Sequence, residues 1–514
     1  MTHAAAIDRH SHAYQLHRQI RVAEAVPLYR EALALDPGYR DAWSNLGLAL
    51  LSLRQPEAAL DCQRAALRID GENADAHNNL GMIHYAQGHI AEAEACFRAA
   101  LRLDAAHANA TLNLGAMRQL ADRPAEAEAL FRHALRLGAE PSRGHGNLAL
   151  SLLEQARPAE AERCCRLGLT VNADNVQARA NLALALLMQG RLAEGWREYE
   201  ARWAVAALAG SDAAVAGTGM AAIDALPQPR WTGQKLNGET VLLWPEQGFG
   251  DVLQFCRYVP MVAASGGRVV LVVPKALRRV MQTLAGVAEL IDEEDGVLPH
   301  FDYHCPLLSL PLAFGTTLET IPAPVPYLQG DDAPWADILR AMPGLKVGLV
   351  WAGKSRTAQP HAVAIDKRRS MRLADMAPLL TVDGCSFVSL QRGPPMTQMR
   401  DLPAAAGLRD VADRLADWAD TAGLIAGLDL VIAVDTAVAH LAGALGKPVW
   451  LLNRFDTCWR WLLDRADTPW YPTMRLVRQA HRGDWAGVIS RARQALAELA
   501  ADSSTLADRS DRAG

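Results

Sequence analysis

Several things that would fix the class of this chain at once are missing from it. Its eight cysteines (Cys62, Cys96, Cys164, Cys165, Cys256, Cys305, Cys385 and Cys458) include no Cys-x-x-Cys pair, and no His-Glu-x-x-His occurs. A structural zinc site is therefore disfavoured, and no bound metal is expected. Scattered thiols fit a reducing compartment better than a disulfide framework, so a cytoplasmic protein is expected. No apolar run approaches a membrane span, and Met1–His10 lacks the apolar centre of a signal peptide. A net charge of −5 leaves no basic surplus for nucleic acid or an anionic membrane. What the chain does have is length, 514 residues that are 50% hydrophobic, enough for several cores.

The first two hundred residues repeat with a period of 34. Leu46, Leu80, Leu114, Leu148 and Leu182 fall in register, followed by Gly47, Gly81, Gly115, Ala149 and Ala183. Ala25, Ala59, Ala93, Ala127 and Ala161 form a second register. This is the period of the tetratricopeptide repeat, two amphipathic helices and a tight turn such as Gly88 or Arg123-Pro124. Six units are expected over 6–208. Asn45, Asn79, Asn113, Asn147 and Asn181 share the period on the first helix of each unit. Amides carry both donor and acceptor, so the ladder suits either capture of an extended polypeptide or ties between neighbouring helices.

Gly195–Trp203 holds two tryptophans and a tyrosine at helical spacing, as in a helix docked on the next domain. An Ala/Gly/Pro-rich linker is expected over 209–237. Strands and helices then alternate, which implies two α/β halves with a cleft between them, 238–335 and 345–500, and a disordered tail, 501–514. The expected strands include Val241–Trp244, Val269–Val273, Val347–Trp351, Phe387–Leu390, Leu428–Val434 and Val449–Leu452.

Candidate chemistry collects at strand ends. Leu428–Val434 is a buried strand, and Asp435-Thr436-Ala437 begins the helix after it. Free N–H groups and a helix dipole there suit a phosphate. His440, one turn on from Thr436, can reach the same anion, although an interior histidine is the blander reading. Lys354 and Asp366-Lys367-Arg368-Arg369-Ser370 follow the Val347–Trp351 strand and could offset a diphosphate's charge, and Gln391 ends another strand. In the first half, Gln247-Gly248-Phe249-Gly250-Asp251 forms a glycine turn without the third glycine of a dinucleotide fingerprint, which disfavours hydride transfer. Asp251 suits either proton abstraction or helix capping. Asp292–Asp295 reads as a solvated acidic turn.

Together, Asp435-Thr436-x-x-x-His440 and Gly250-Asp251 resemble the ADP-heptose:lipopolysaccharide heptosyltransferases. With the repeat array, the chain resembles bacterial tetratricopeptide-repeat glycosyltransferases and, in architecture, the O-linked N-acetylglucosamine transferases. That resemblance implies an α-solenoid followed by a GT-B fold of two Rossmann-like halves. It implies metal-independent, inverting sugar transfer with a nucleotide-sugar as substrate and no cofactor. Asp251 matches the family's proposed base. Lys367 or Arg369 matches the cation on the donor phosphates, and Thr436, the amides after it and His440 match the diphosphate site, with Asp435 supporting the turn. The asparagine ladder matches the peptide groove of the O-linked N-acetylglucosamine transferases, which implies a polypeptide acceptor. Ala437 stands where the heptosyltransferases usually have glycine, and Cys458 where related bacterial proteins tend to have aspartate. Two rivals remain: a repeat scaffold carrying a non-catalytic nucleotide-sugar-binding domain, and transfer to the lipopolysaccharide core.

Overall fold

The structure, a computed structural model, describes residues 2–208, 226–294, 298–354, 360–402 and 407–511. It divides into two compact units, residues 1–154 with 163–178, and residues 155–162 with 179–514.

The first unit is built from tetratricopeptide hairpins, among them Arg40–Ser52 with Pro56–Ile69, Ala74–Ala86 with Ile90–Leu103, and Ala108–Leu120 with Pro124–Arg136. The glycine register has a steric cause. A Cβ on Gly81 would lie 2.6 Å from the Phe97 ring, and one on Gly115 2.6 Å from Phe131, each sixteen residues on. Where that partner position holds the smaller Cys165, the register holds Ala149. The turn is also periodic, in a way that composition conceals. Ile20, Arg54, Gly88, Asp122, Ala156 and Gly190, 34 residues apart, all have positive φ, between 56° and 80°. Glycine fills only two of these six left-handed positions.

The second unit includes the helices Leu192–Tyr199 and Arg202–Leu208. They pack on the α/β region as the aromatic spacing suggested. Trp196 is buried, donates from Nε1 to the Thr316 carbonyl at 3.1 Å and meets the Trp459 ring edge-on. Arg202 forms a two-pronged pair with buried Glu246, both contacts 2.8 Å.

Two all-parallel sheets follow. The first has β1 (Thr240–Trp244), β2 (Arg268–Val273), β3 (Val287–Asp292) and β4 (Tyr303–Pro306) in the order β3-β2-β1-β4. The second has β5 (Leu345–Val350), β6 (Cys385–Ser389), β7 (Leu408–Arg409), β8 (Leu430–Val434), β9 (Val449–Asn453) and β10 (Met474–Arg478) in the order β10-β9-β8-β5-β6-β7. β5 and β8 are Val/Leu/Ile-rich runs buried in the middle of the second sheet, as parallel strands covered on both faces must be. The chain leaves β5 outward through β6 and β7, then returns to lay β8 on the other flank of β5. The crevice between the C-terminal ends of β5 and β8 is therefore a topological switch point, where open α/β sheets take ligands.

Three boundaries differ from the sequence reading. Residues 209–225 of the expected linker lie outside the described residues, but 226–237 pack on the first sheet. Arg230 bridges to His304, and Trp231 is buried. Residues 327–330 lie against the second half: Tyr327 N–H donates to the Ala444 carbonyl, and a Cβ on Gly330 would strike that of Ala422. The final helix runs Trp485–Asp511, past the expected end at residue 500, because nothing in Ala501–Asp511 breaks a helix. Among the described residues no helix is long and apolar enough to cross a membrane, and no His/Cys/Asp/Glu group could hold a metal ion.

Candidate functional site

Thr436 stands two residues past β8, at the N-cap of the helix Ala437–Ala444, with extended backbone (φ −142°, ψ 166°). Its carbonyl takes the N–H groups of Ala439 and His440, which leaves the first amides of the helix without intrahelical acceptors. An N-cap threonine ordinarily folds its hydroxyl onto one of those amides. Here it does not. The Thr436 Oγ1 is buried and has no hydrogen-bond partner among the described residues, although the residue is only 8% exposed. A buried hydroxyl without a partner costs on the order of 1–3 kcal/mol.

Arg369 closes the side of the crevice next to β5. Its Nη1 donates to the Asp435 carbonyl at 3.3 Å and its Nη2 pairs with Asp366 at 2.8 Å. Gly353 makes room for it, since a Cβ there would lie 2.8 Å from the guanidinium. Ser370 Oγ accepts the Gly353 N–H at 3.1 Å, holding the loop shut behind it. Lys367 is exposed, so of the two expected phosphate cations the structure brings Arg369 to the Asp435-Thr436 turn.

Gln391 has a different task from the one expected. Its Oε1 accepts the N–H groups of Trp351 and Ala352, and its Nε2 donates to the carbonyls of Ala352 and Arg392. The amide is spent on the backbone past β5, which makes it a pin for the crevice wall rather than a ligand group. Sequence shows a glutamine at a strand end but not where its four bonds go.

His440 is the interior histidine of the blander reading, yet it sits at the seam between the halves. Its Nδ1 lies 2.9 Å from Tyr471 Oη, its ring stacks on Trp461 at 5.3 Å, and it is 5% exposed. Burial pushes its pKa down to about 3, with Arg460, Arg257 and Arg369 acting the same way, so it is neutral at physiological pH. It can offer a phosphate a neutral N–H at most. The Gly250 backbone lies against this ring: a Cβ there would come within 2.9 Å of His440 Cδ2. The Gly248–Asp251 turn is also shorter than expected. Gly248 caps the helix Phe249–Phe255, which contains Gly250 and Asp251. The second glycine thus permits the approach of one half to the other.

Asp251 faces the second half and is engaged at both oxygens. Oδ2 accepts the Gly248 N–H at 3.0 Å, and Oδ1 is bound by Arg460, whose Nε also holds Gln254 Oε1 at 2.6 Å. The capping reading is therefore part of the answer and an ion pair between the halves is the rest. Cys458 Sγ lies 3.2 Å from Arg460 Nη1, so the residue in the place of the relatives' aspartate touches the same guanidinium. Tyr471 and Arg257 carry no signal in the sequence, and the partners of Arg460 and Trp461 in the Cys458–Trp461 segment are not legible there. The Trp-x-Trp density at 459–461 was the available signal.

Three rungs of the asparagine ladder tie repeats together. Nδ2 of Asn45, Asn79 and Asn113 pairs with His10, Ser44 and Asn78, each 35 residues back, at 2.8, 3.0 and 2.8 Å. At these rungs the donors expected to line a peptide groove are committed between helices. Asn147 is half-buried and Asn181 is buried.

The comparisons with known proteins fix the class of the N-terminal region first. Tetratricopeptide repeat models match residues 12–74 and 74–107, so the N-terminal region carries tetratricopeptide repeats, and an α/β region follows it. The chain is further similar to Protein FlbA of Caulobacter vibrioides, 28% identical over 335 residues that make up 60% of this chain and 52% of that protein. It thus spans about half the length of this curated relative. Among solved structures, a thermophilic tetratricopeptide repeat protein of Thermus thermophilus matches 36% of the chain and 100% of its own, with 22% identity and a TM-score of 0.33. Pseudomonas aeruginosa PilF matches 40% of the chain and 99% of its own, with 23% identity and a TM-score of 0.32.

Proposed function

We propose that the α/β region is a GT-B glycosyltransferase that moves a sugar from a nucleoside-diphosphate donor to an acceptor hydroxyl, and that the repeats hold a protein partner or acceptor. The observation that carries this reading is the buried, partnerless Thr436 hydroxyl at a helix N-terminus, beside Arg369 and at the switch point of a parallel sheet. Oriented amides, a hydroxyl donor and a guanidinium are what a diphosphate requires.

In the transfer, the acceptor oxygen attacks the anomeric carbon as the bond from that carbon to the diphosphate oxygen breaks. The leaving oxygen takes the bonding electrons, and its charge is met by the Ala437–Ala444 helix amides, Thr436 and Arg369. The acceptor proton passes to Asp251, the carboxylate on the opposing half, once its pair with Arg460 has opened. The resting contact argues for a second reading, in which Asp251 is purely structural and the α/β region senses nucleotide-sugars without turnover. A panel of nucleotide-sugars incubated with the purified chain and read by mass spectrometry for hydrolysis or transfer decides between them. Turnover in the wild type, abolished in Asp251→Asn while nucleotide binding persists, supports the enzyme. Nucleotide binding without any turnover supports the sensor.

A further inference from the structure

Beyond β9, a group of cations gathers that the transfer reading does not use. The β8/β9 register, Val434 beside Leu452, brings Arg454 out at the same end of the sheet as Thr436. Around the carboxylate of Asp456, itself buried, stand Arg368 Nε at 2.9 Å, Arg454 Nη1 at 3.5 Å and Arg482 Nη1 at 3.9 Å. Three guanidiniums thus surround one carboxylate, and cations outnumber it within the cluster. The Arg454 side chain is 10% exposed, and its Nε and Nη1 have no hydrogen-bond partner among the described residues. Gln479, which accepts the Phe455 N–H through Oε1, likewise has a buried and partnerless Nε2. Buried donors without a protein partner are rare in native proteins and ordinarily meet a water, an ion or a ligand. Arg454 Nε and Gln479 Nε2 can only donate, and three guanidiniums stand around the one Asp456 carboxylate, which together point to an anionic ligand.

We propose that Arg454, Gln479 and the Arg368/Arg482 guanidiniums around Asp456 form an oxyanion-binding niche, distinct from the Thr436 crevice, that takes a phosphate or a carboxylate group. This stands whether or not the chain transfers sugar. The anion is either free phosphate or an acidic group on a larger ligand seated in the neighbouring crevice.

Isothermal titration of the full chain with inorganic phosphate tests the niche. Millimolar-range binding is expected, with a component weakened at least about tenfold in Arg454→Gln. Gln479→Glu keeps the acceptor for Phe455 but turns the free donor into a carboxylate, and is expected to abolish binding; circular dichroism confirms that each variant is folded. No phosphate binding by the wild type, or full binding by both niche variants, would each overturn the proposal. Repeating the titration with saturating UDP or ADP separates the sources. Phosphate still bound means an independent anion, phosphate displaced means a group of the larger ligand, and both leave the niche standing.

Discussion

Thr436 concentrates the chemical argument into one hydroxyl. In Thr436→Val the shape is nearly kept while the buried donor goes, so the folded chain without ligand is expected to be as stable as the wild type or slightly more stable. Affinity for a nucleoside diphosphate should fall about tenfold, the worth of one charge-assisted hydrogen bond. Thermal unfolding with and without nucleotide separates the two effects. A variant that loses stability without ligand would show that the hydroxyl already has a partner.

His440 makes a pH prediction with a definite sign. The unfolded chain binds a proton at the ordinary value near 6.5, whereas the folded chain, its imidazole desolvated, does so only near 3. Between those limits the unfolded state holds the extra proton, so this residue lowers stability as pH falls from 6.5 towards 3 and contributes no slope above. The slope amounts to about 1.4 kcal/mol per pH unit. His440→Gln should flatten the urea midpoint against pH in that window, followed by tryptophan fluorescence. An unchanged slope would mean that the imidazole titrates normally.

Ile20 offers a test in the repeats. It is 87% exposed, β-branched and held at φ 64°, where an L side chain costs about 1–2 kcal/mol. Ile20→Gly should therefore stabilise the array by up to about 1 kcal/mol, part of the relief being offset by glycine's entropy when unfolded. Destabilisation on urea denaturation would contradict the strained turn.

Among the elements, the helix Leu192–Tyr199 does the most with the fewest residues. Trp196 fills a site edged by Trp459 and Trp470, and Trp196→Ala is expected to cost the second unit about 3–5 kcal/mol. Chemical denaturation of the full chain measures this, and a loss under about 1 kcal/mol would mean a surface contact.

That docking helix was legible from the spacing of Trp196 and Tyr199 alone, and so were the central strands. β1, β2, β5, β8 and β9 are continuous apolar runs because helices cover both their faces. β3, β4, β7 and β10 were not resolved from sequence. β3 is half-exposed, β7 has two residues, and β10 alternates Met-Arg-Leu-Val-Arg, so none carries an unbroken apolar signal. The left-handed repeat turn was hidden for a similar reason: four of its six positions hold residues other than glycine, and only the 34-residue period exposes it. At the site, residue types could be read but partners could not. The Arg460 pair with Asp251 joins positions 209 apart, and Gln391 bonds to backbone that no composition marks.

On the scale of the molecule, the two α/β halves are fastened through charge. Asp251–Arg460 links the opening helix of one half to the Trp459–Trp461 segment of the other, and Arg257 reaches the Trp470 carbonyl at 2.5 Å. Asp251→Asn leaves Arg460 buried without a counter-charge and should cost about 3–5 kcal/mol. Adding Arg460→Gln should recover much of that, as removing both members of a buried pair usually does. The double variant therefore isolates chemistry from folding. Absent turnover in a restored fold assigns the base to Asp251, whereas restored turnover removes that assignment.

The claim under all of this is that the crevice between β5 and β8 receives a nucleoside diphosphate. Calorimetry of the full chain with UDP, ADP and GDP, repeated on Thr436→Val, measures it directly. Saturable binding of at least one nucleotide is expected, weakened about tenfold by the substitution. No heat from any of the three, or binding indifferent to Thr436, would contradict it.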